Sequence, residues 1–156
     1  DAHPEDLHLI RRMMIQTSAR NKLFGRVETV RAGAVNDEVT LALPGGQRIV
    51  ATITHESVET LGLVPGAEAF ALVKASSVLI GLADPAARLS ARNQLPGTVA
   101  RVVPGAVNAE VVLELDGGGT VAAIVTQAAV ADLALQAGTR ALAIFKASSV
   151  ILGTMG

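Results

Sequence analysis

The sequence predicts an all-β chain: two small five-stranded barrels in tandem, each carrying one short helix. The prediction rests on a gapless internal repeat, on short β-branched runs bounded by glycine turns, and on a capped helical segment in each copy. The repeat comes first. A shift of 72 positions, the distance from Ser18 to Ser90, lays Ser18-Ala19-Arg20-Asn21 over Ser90-Ala91-Arg92-Asn93. The same shift matches Gly25 with Gly97 and Gly33-Ala34-Val35-Asn36 with Gly105-Ala106-Val107-Asn108. It also matches Gly45-Gly46 with Gly117-Gly118, Thr54 with Thr126, and Gly66 with Gly138. It closes on Lys74-Ala75-Ser76-Ser77-Val78 over Lys146-Ala147-Ser148-Ser149-Val150, and no gap is needed between Ser18 and Gly153.

The second copy shows its elements most clearly. Leu95 to Val102 opens with Pro96-Gly97 and becomes β-branched, which reads as a strand. Glu110-Val111-Val112-Leu113-Glu114-Leu115 sets acidic against apolar side chains, as in a half-buried strand whose carboxylates face solvent. Asp116-Gly117-Gly118-Gly119 closes a hairpin onto Thr120 to Val125, and Pro44-Gly45-Gly46 does so in the first copy. Thr126 reads as the N-cap of a short helix over Gln127 to Leu135. Strands follow at Leu142-Ala143-Ile144-Phe145 and Val150-Ile151-Leu152. Five strands with frequent glycines suit a small OB-like barrel. The organisation expected is an N-terminal arm over 1–16, a first domain over 17–82, a linker over 83–89 broken by Pro85, and a second domain over 90–154.

Composition narrows both fold and function. Half of the 156 residues are hydrophobic, yet there are three Phe and no Trp or Tyr. Such small aliphatic domains remove little surface from water, so each half is expected to lean on the other or on another subunit. The net charge of −1 creates no field for nucleic acid or a membrane surface. Without aromatic platforms, single-strand nucleic-acid binding is not expected either. There is no cysteine, so disulfides and thiolate metal sites are excluded. No apolar run reaches the roughly 18 residues of a membrane span. His3, His8 and His55 are the three histidines, and they show no nucleophile–base or metal-ligand spacing. No enzyme and no side-chain metal site are expected.

The polar residues shared by both copies are Ser-Ala-Arg-Asn, Asn-x-Glu, a threonine and Lys-Ala-Ser. Arg and Lys can only donate, and hydroxyls and backbone N–H groups donate too. Each member also has a plainer use: arginines and lysines as solvated surface groups, threonines as helix caps, serines as partners of nearby backbone. Taken together the set is rich in donors, and it points to a tetrahedral oxyanion that offers acceptors only. Protonated phosphate fits less well, because an unpaired buried donor costs on the order of 1–3 kcal/mol.

Ser-Ala-Arg-Asn-x-x-x-Gly, Gly-Ala-Val-Asn-x-Glu and Lys-Ala-Ser-Ser-Val, each present twice, resemble the molybdenum-pterin-binding (Mop, or TOBE-type) domain in tandem from about Gln16 to Gly153. The resemblance implies OB-like barrels, homo-oligomers (dimers or trimers of di-domains) that exchange strands between subunits, and molybdate or tungstate as ligand at interfaces between domains. By motif, the first-copy contacts are Ser18, Ala19, Arg20, Lys74, Ala75 and Ser76, with Thr54 and Ser57 approaching from a neighbouring domain. The second-copy equivalents are Ser90, Ala91, Arg92, Thr126, Lys146, Ala147 and Ser148; here Ala129 replaces Ser57 and removes a hydroxyl. Such pairs occur as free-standing molbindins, or as the sensor of a molybdate-responsive transcriptional regulator that binds DNA through a separate domain. Both are cytoplasmic. Arg11 to Thr17 running into Ser18 resembles the junction behind that DNA-binding domain, and the absent initiator methionine fits an excised sensor region.

Overall fold

The computed structural model describes residues 17–82 and 88–155. The expected N-terminal arm and most of the expected linker lie outside them. Strands β1 (Asn21–Arg31), β2 (Asn36–Ala42), β3 (Arg48–Thr54), β4 (Glu68–Val73) and β5 (Leu79–Gly81) come from the first copy, with helix α1 (His55–Leu61) before β4. The second copy supplies β6 (Asn93–Pro104), β7 (Asn108–Leu115), β8 (Thr120–Thr126), β9 (Arg140–Phe145) and β10 (Ile151–Gly153), with helix α2 (Gln127–Asp132) before β9. A 3-10 turn precedes each last strand, at Ala75–Ser77 and Ala147–Ser149. It takes up residues that the sequence reading left unassigned.

Each copy curls around an apolar interior. In β2 and β3 the alternate residues Val39, Leu41, Ile49 and Ala51 are fully buried, which is the period-2 pattern of a one-sided strand. The long β1 serves two neighbours: its first half pairs with β4 and its second half with β2. A bulge between Val27 and Thr29 bends it between the two tasks. At that bend Gly25 lies so close to β2 that a Cβ would overlap the Ala42 carbonyl oxygen. Gly97 meets the Glu114 carbonyl in the same way, which explains the matched glycine. The helix caps are as expected: Thr54 accepts the Ser57 N–H and Thr126 the Ala129 N–H. Helix α2 stops at Asp132, short of the expected Leu135.

The sheet order carries the main finding. One sheet runs β10-β4-β1-β2-β3 and the other β5-β9-β6-β7-β8. The last strand of each copy is therefore the outer strand of the other copy's sheet. Ile80 of β5 lies opposite Ala143 of β9, and Leu152 of β10 lies opposite Ala71 of β4. The resemblance implied strand exchange between subunits; the exchange observed joins the two copies of one chain. Side chains of both copies consequently form one apolar cluster, from Leu23 and Val27 to Phe145 and Leu152. The expectation that each half leans on the other is met in this form.

Two buried asparagines lock the arrangement. Asn21 takes the Ala122 N–H at 2.7 Å and gives its own amide to the Ala122 carbonyl at 2.8 Å. Asn93 does the same with the N–H and carbonyl of Val50, both at 2.8 Å. Ala122 and Val50 sit on β8 and β3, the strands at the other end of each sheet, whose outward backbone groups have no ladder partner among the described residues. Each asparagine supplies a short stretch of that missing ladder. Where the two glycine hairpins meet, a Cβ on Gly45 would overlap the Gly117 carbonyl and the reverse overlap holds for Gly117. Only glycine allows this backbone approach.

Asn21→Ala and Asn93→Ala are each expected to destabilise the fold by about 2 kcal/mol, because each leaves a buried N–H and C=O unpaired. The shift of the urea midpoint measures this, and an unchanged midpoint would refute the locking role.

Candidate functional site

Strand register brings the two basic segments of each copy together. Asn21, the first residue of β1, lies opposite Val73, the last residue of β4. Arg20 and Lys74 therefore leave the sheet side by side. In the second copy Asn93 lies opposite Phe145, so Arg92 and Lys146 are neighbours in the same way. The segments Ser18-Ala19-Arg20 and Lys74-Ala75-Ser76 form one cluster, and Ser90-Ala91-Arg92 with Lys146-Ala147-Ser148 form the other.

The local backbone explains how these residues are presented. Lys74 has extended dihedrals and begins the 3-10 turn, whose N-terminus carries no side-chain cap; Lys146 does the same. The first N–H groups of such a turn have no partner within it. Ala75 and Ala147 are buried and anchor the turns, whereas Lys74, Ser76, Lys146 and Ser148 are exposed. The turn at 75–77 packs against β8 of the other copy, and the turn at 147–149 packs against β3. Thr17 accepts the Ala19 N–H at 3.1 Å, which shapes the approach to Arg20.

The arginines are not solitary. Arg20 Nη2 donates to Glu110 Oε1 at 2.8 Å, and Arg92 donates to both oxygens of Glu38 at 2.6 and 3.1 Å. Each pair crosses from one copy to the other. The sequence reading turned the Glu110 carboxylate to solvent and weighed the shared polar set by its donors; the structure instead engages both Glu110 and its counterpart Glu38 with arginines. The glutamates stand on β2 and β7 within reach because the neighbouring asparagines fix where each arginine leaves its strand. Each cluster still carries a net positive charge, with an arginine and a lysine set against one carboxylate.

Thr54 and Ser57 lie at the start of α1, where the Thr54 hydroxyl donates to the Ser57 hydroxyl at 2.8 Å. Thr126 caps α2 alone, with Ala129 offering no hydroxyl. These caps end β3 and β8, the strands that the basic clusters lean on. Neither cap is hydrogen-bonded to a cluster residue among the described contacts. A separate cleft of about 470 Å³ at the glycine hairpins, lined by Lys22, Phe24, Leu43 and Gly117 to Thr120, contains none of the expected site residues.

The sequence reading missed the two asparagines as structural pins and the two glutamates as partners. The signal was present, since both types stand in segments retained in both copies. It was not decisive, because a partner in the other copy has no fixed spacing in sequence. Among the described residues no group of three or more His, Cys, Asp or Glu residues is arranged to hold a metal ion, and no helix is long and apolar enough to cross a membrane.

Two curled five-stranded sheets with exchanged last strands and paired basic clusters define a tandem small-barrel domain. The chain belongs to the TOBE domain family, which matches it twice, at residues 17–80 and 89–152. The molybdenum transport protein ModE of Herbaspirillum seropedicae is 43% identical over 144 residues, covering 92% of this chain and 54% of that protein. The molybdenum-pterin-binding protein MopA of Rhodobacter capsulatus is 44% identical over 140 residues, covering 90% of this chain and 53% of its own length. The chain thus spans about half the length of these curated relatives. A crystal structure of the cytoplasmic molybdate-binding protein ModG, with molybdate bound, superposes with a TM-score of 0.87 at 48% identity and covers 90% of this chain and 99% of that one.

The cross-copy ion pairs are half exposed at the arginine, with 54% of the Arg20 side chain accessible. A double-mutant cycle on Arg20 and Glu110 is expected to give a coupling of at most ~1 kcal/mol that falls with added salt. A larger, salt-insensitive value would show that the pair holds the two copies together.

Proposed function

We propose that the chain binds molybdate or tungstate and is the sensor part of a molybdate-dependent transcriptional regulator. The observation that carries the reading is the register that sets Arg20 beside Lys74 and Arg92 beside Lys146. Ser18, Ala19, Arg20, Lys74, Ala75 and Ser76 hold one anion; Ser90, Ala91, Arg92, Lys146, Ala147 and Ser148 hold another. Thr54, through the Ser57 hydroxyl to which it donates, and Thr126 belong to the donors supplied by the neighbouring domain. Guanidinium, ammonium, hydroxyls and uncapped turn N–H groups are all donors carried on adjoining segments, which suits a dianion that accepts everywhere and donates nowhere. The nearby carboxylates are already turned to the arginines, Glu38 through both oxygens and Glu110 through one. The names of the relatives support the choice of molybdate: ModE, MopA and the molybdate-bound ModG.

Regulator relatives about twice the length of this chain support the sensor role, with DNA bound by a further domain. Storage as a free-standing molbindin is the second reading, favoured by the 99% coverage of ModG. Both readings place the chain in the cytoplasm, as ModG is described, and give it a binding role with no catalytic step. Assembly into a homo-oligomer fits apolar residues exposed at equivalent places in both copies: Val35 with Val107, and Leu79 with Ile151.

Calorimetric titration of the chain is expected to show molybdate and tungstate binding below roughly 10 μM, a regime worth about −7 kcal/mol, with sulfate weaker and phosphate weakest. Absence of molybdate binding in that range refutes the reading. Arg20→Ala should abolish one class of site while Arg92→Ala abolishes the other. Ser57→Ala, which imposes the second copy's Ala129, should weaken the class of site that receives the Ser57 hydroxyl by about tenfold, as expected for one lost hydrogen bond. Deleting the gene separates the roles: a sensor's loss makes molybdate uptake insensitive to molybdate, whereas a store's loss only lowers the molybdate retained by cells.

A further inference from the structure

The first copy contains a charged cluster that the second lacks and that anion binding leaves unused. Asp37 of β2 is 1% exposed. Its Oδ1 accepts the Gly33 N–H at 3.1 Å, and its Oδ2 lies 2.8 Å from Nδ1 of His55, the first residue of α1. On the other side of the ring, Nε2 lies 3.0 Å from Oε1 of Glu59, one helical turn further on. A neutral imidazole has one donor, so only the doubly protonated ring satisfies a carboxylate at each nitrogen.

The repeat supplies an internal control. Asp37, His55 and Glu59 correspond to Ala109, Gln127 and Ala131. In the second copy Gln127 Nε2 donates to the Gly105 carbonyl at 2.7 Å, tying the helix start to the equivalent loop with no ionisable group. Both copies share the backbone tie beneath it, from the N–H of His55 to the Val35 carbonyl and from the N–H of Gln127 to the Val107 carbonyl. The two helices thus have the same anchorage in the main chain and different anchorage in the side chains.

We propose that Asp37, His55 and Glu59 form a proton-operated latch on the first copy's helix, closed while the imidazole carries both protons and released when it loses one. The inference goes beyond anion binding and does not depend on it. When the ring loses a proton, the Nδ1–H is retained, because the buried Asp37 has little access to water as an alternative donor. The Nε2 lone pair then faces the exposed Glu59 carboxylate, and that contact becomes repulsive. The contact from the first to the second turn of α1 is lost, while the threonine cap, which the second copy keeps without such a cluster, remains.

The surrounding charges are consistent with this sense. Hydrogen bonding to Asp37, followed by the charges of Asp37 and Glu59, holds His55 above its ordinary value of 6.5, while burial opposes the shift. The bond from His55 in turn holds Asp37 below the usual carboxylate range. Glu56 also stands in the first turn of α1. On the strands packed against that helix, Glu38 of β2 is engaged by Arg92, and Arg48 of β3 by Glu28 at 2.6 Å. Because the imidazole's value is raised by folding, the histidine's share of the stability is fully present below the ordinary histidine value and is lost as pH rises through the raised one. The Asp37 share is lost only in acid, as pH falls through its lowered value. The latch is therefore closed between those two limits.

The test uses the 156-residue chain. Imidazole NMR titration, with His55 assigned from the signals lost in His55→Gln, should place it above the ordinary histidine range. Asp37→Asn should return it there, and Glu59→Gln, which leaves the buried carboxylate intact, should lower it by a smaller amount. Amide exchange of Glu59 to Leu61 should accelerate as His55 titrates, beyond the intrinsic pH dependence, while Ala131 to Leu133 follows the intrinsic rate alone. The excess should reach about tenfold for each pH unit by which the bridge raises the imidazole midpoint. His55→Gln should give α1 the behaviour of α2. The proposal is overturned if His55 titrates at or below the ordinary range, or if both helices lose protection in parallel in the native chain.

Discussion

The short crossing after β4, and its repeat after β9, imposes the central constraint on this molecule. It sends the last strand of each copy into the other copy's sheet. A small aliphatic domain with three Phe in the whole chain has little apolar area to bury by itself. Exchange joins the two interiors into one cluster, so the copies are not independent folding units in any simple sense. The same crossing leaves β3 and β8 as outer strands facing the opposite copy, and Asn21 and Asn93 meet their open backbone groups there. The pins and the exchange support each other.

The basic clusters follow from this architecture. An arginine that leaves its strand just before a pinned asparagine has little choice of direction, and it finds a glutamate of the other copy. The carboxylate limits where the guanidinium can swing while leaving other donors free, which is how a site keeps a charged side chain in place without burying it. In water such exposed pairs contribute little to stability. Their value lies in orientation. The lysine beside each arginine is held differently, by a 3-10 turn whose small residues fit against the opposite sheet.

The two copies have diverged where the shared scaffold allows it. The backbone ties, the threonine caps and the asparagine pins are retained in both. Ser57 has become Ala129, and the Asp37–His55–Glu59 cluster has become Ala109, Gln127 and Ala131. These changes fall on one short helix and on the strand beside it. The main contacts of that helix are with β2 and β3 of its own copy, so its chemistry can change without disturbing the exchange.

Much of this was legible in the chain itself. The duplication, the strand positions, the glycine hairpins and the threonine caps are local properties: they depend on residues a few positions apart, or on a fixed shift between copies. The donor segments could also be picked out, since both copies retain them. That Arg20 and Lys74 share a site came from the family resemblance, and the amino-acid order did not reveal that Glu38 and Glu110 would turn to the arginines, or that β5 and β10 would change places. Two copies with equivalent edges offer each last strand two equally suitable sheets. Local propensity is the same for both, so only the tertiary fold, through the crossing turns and the pinned asparagines, decides between them.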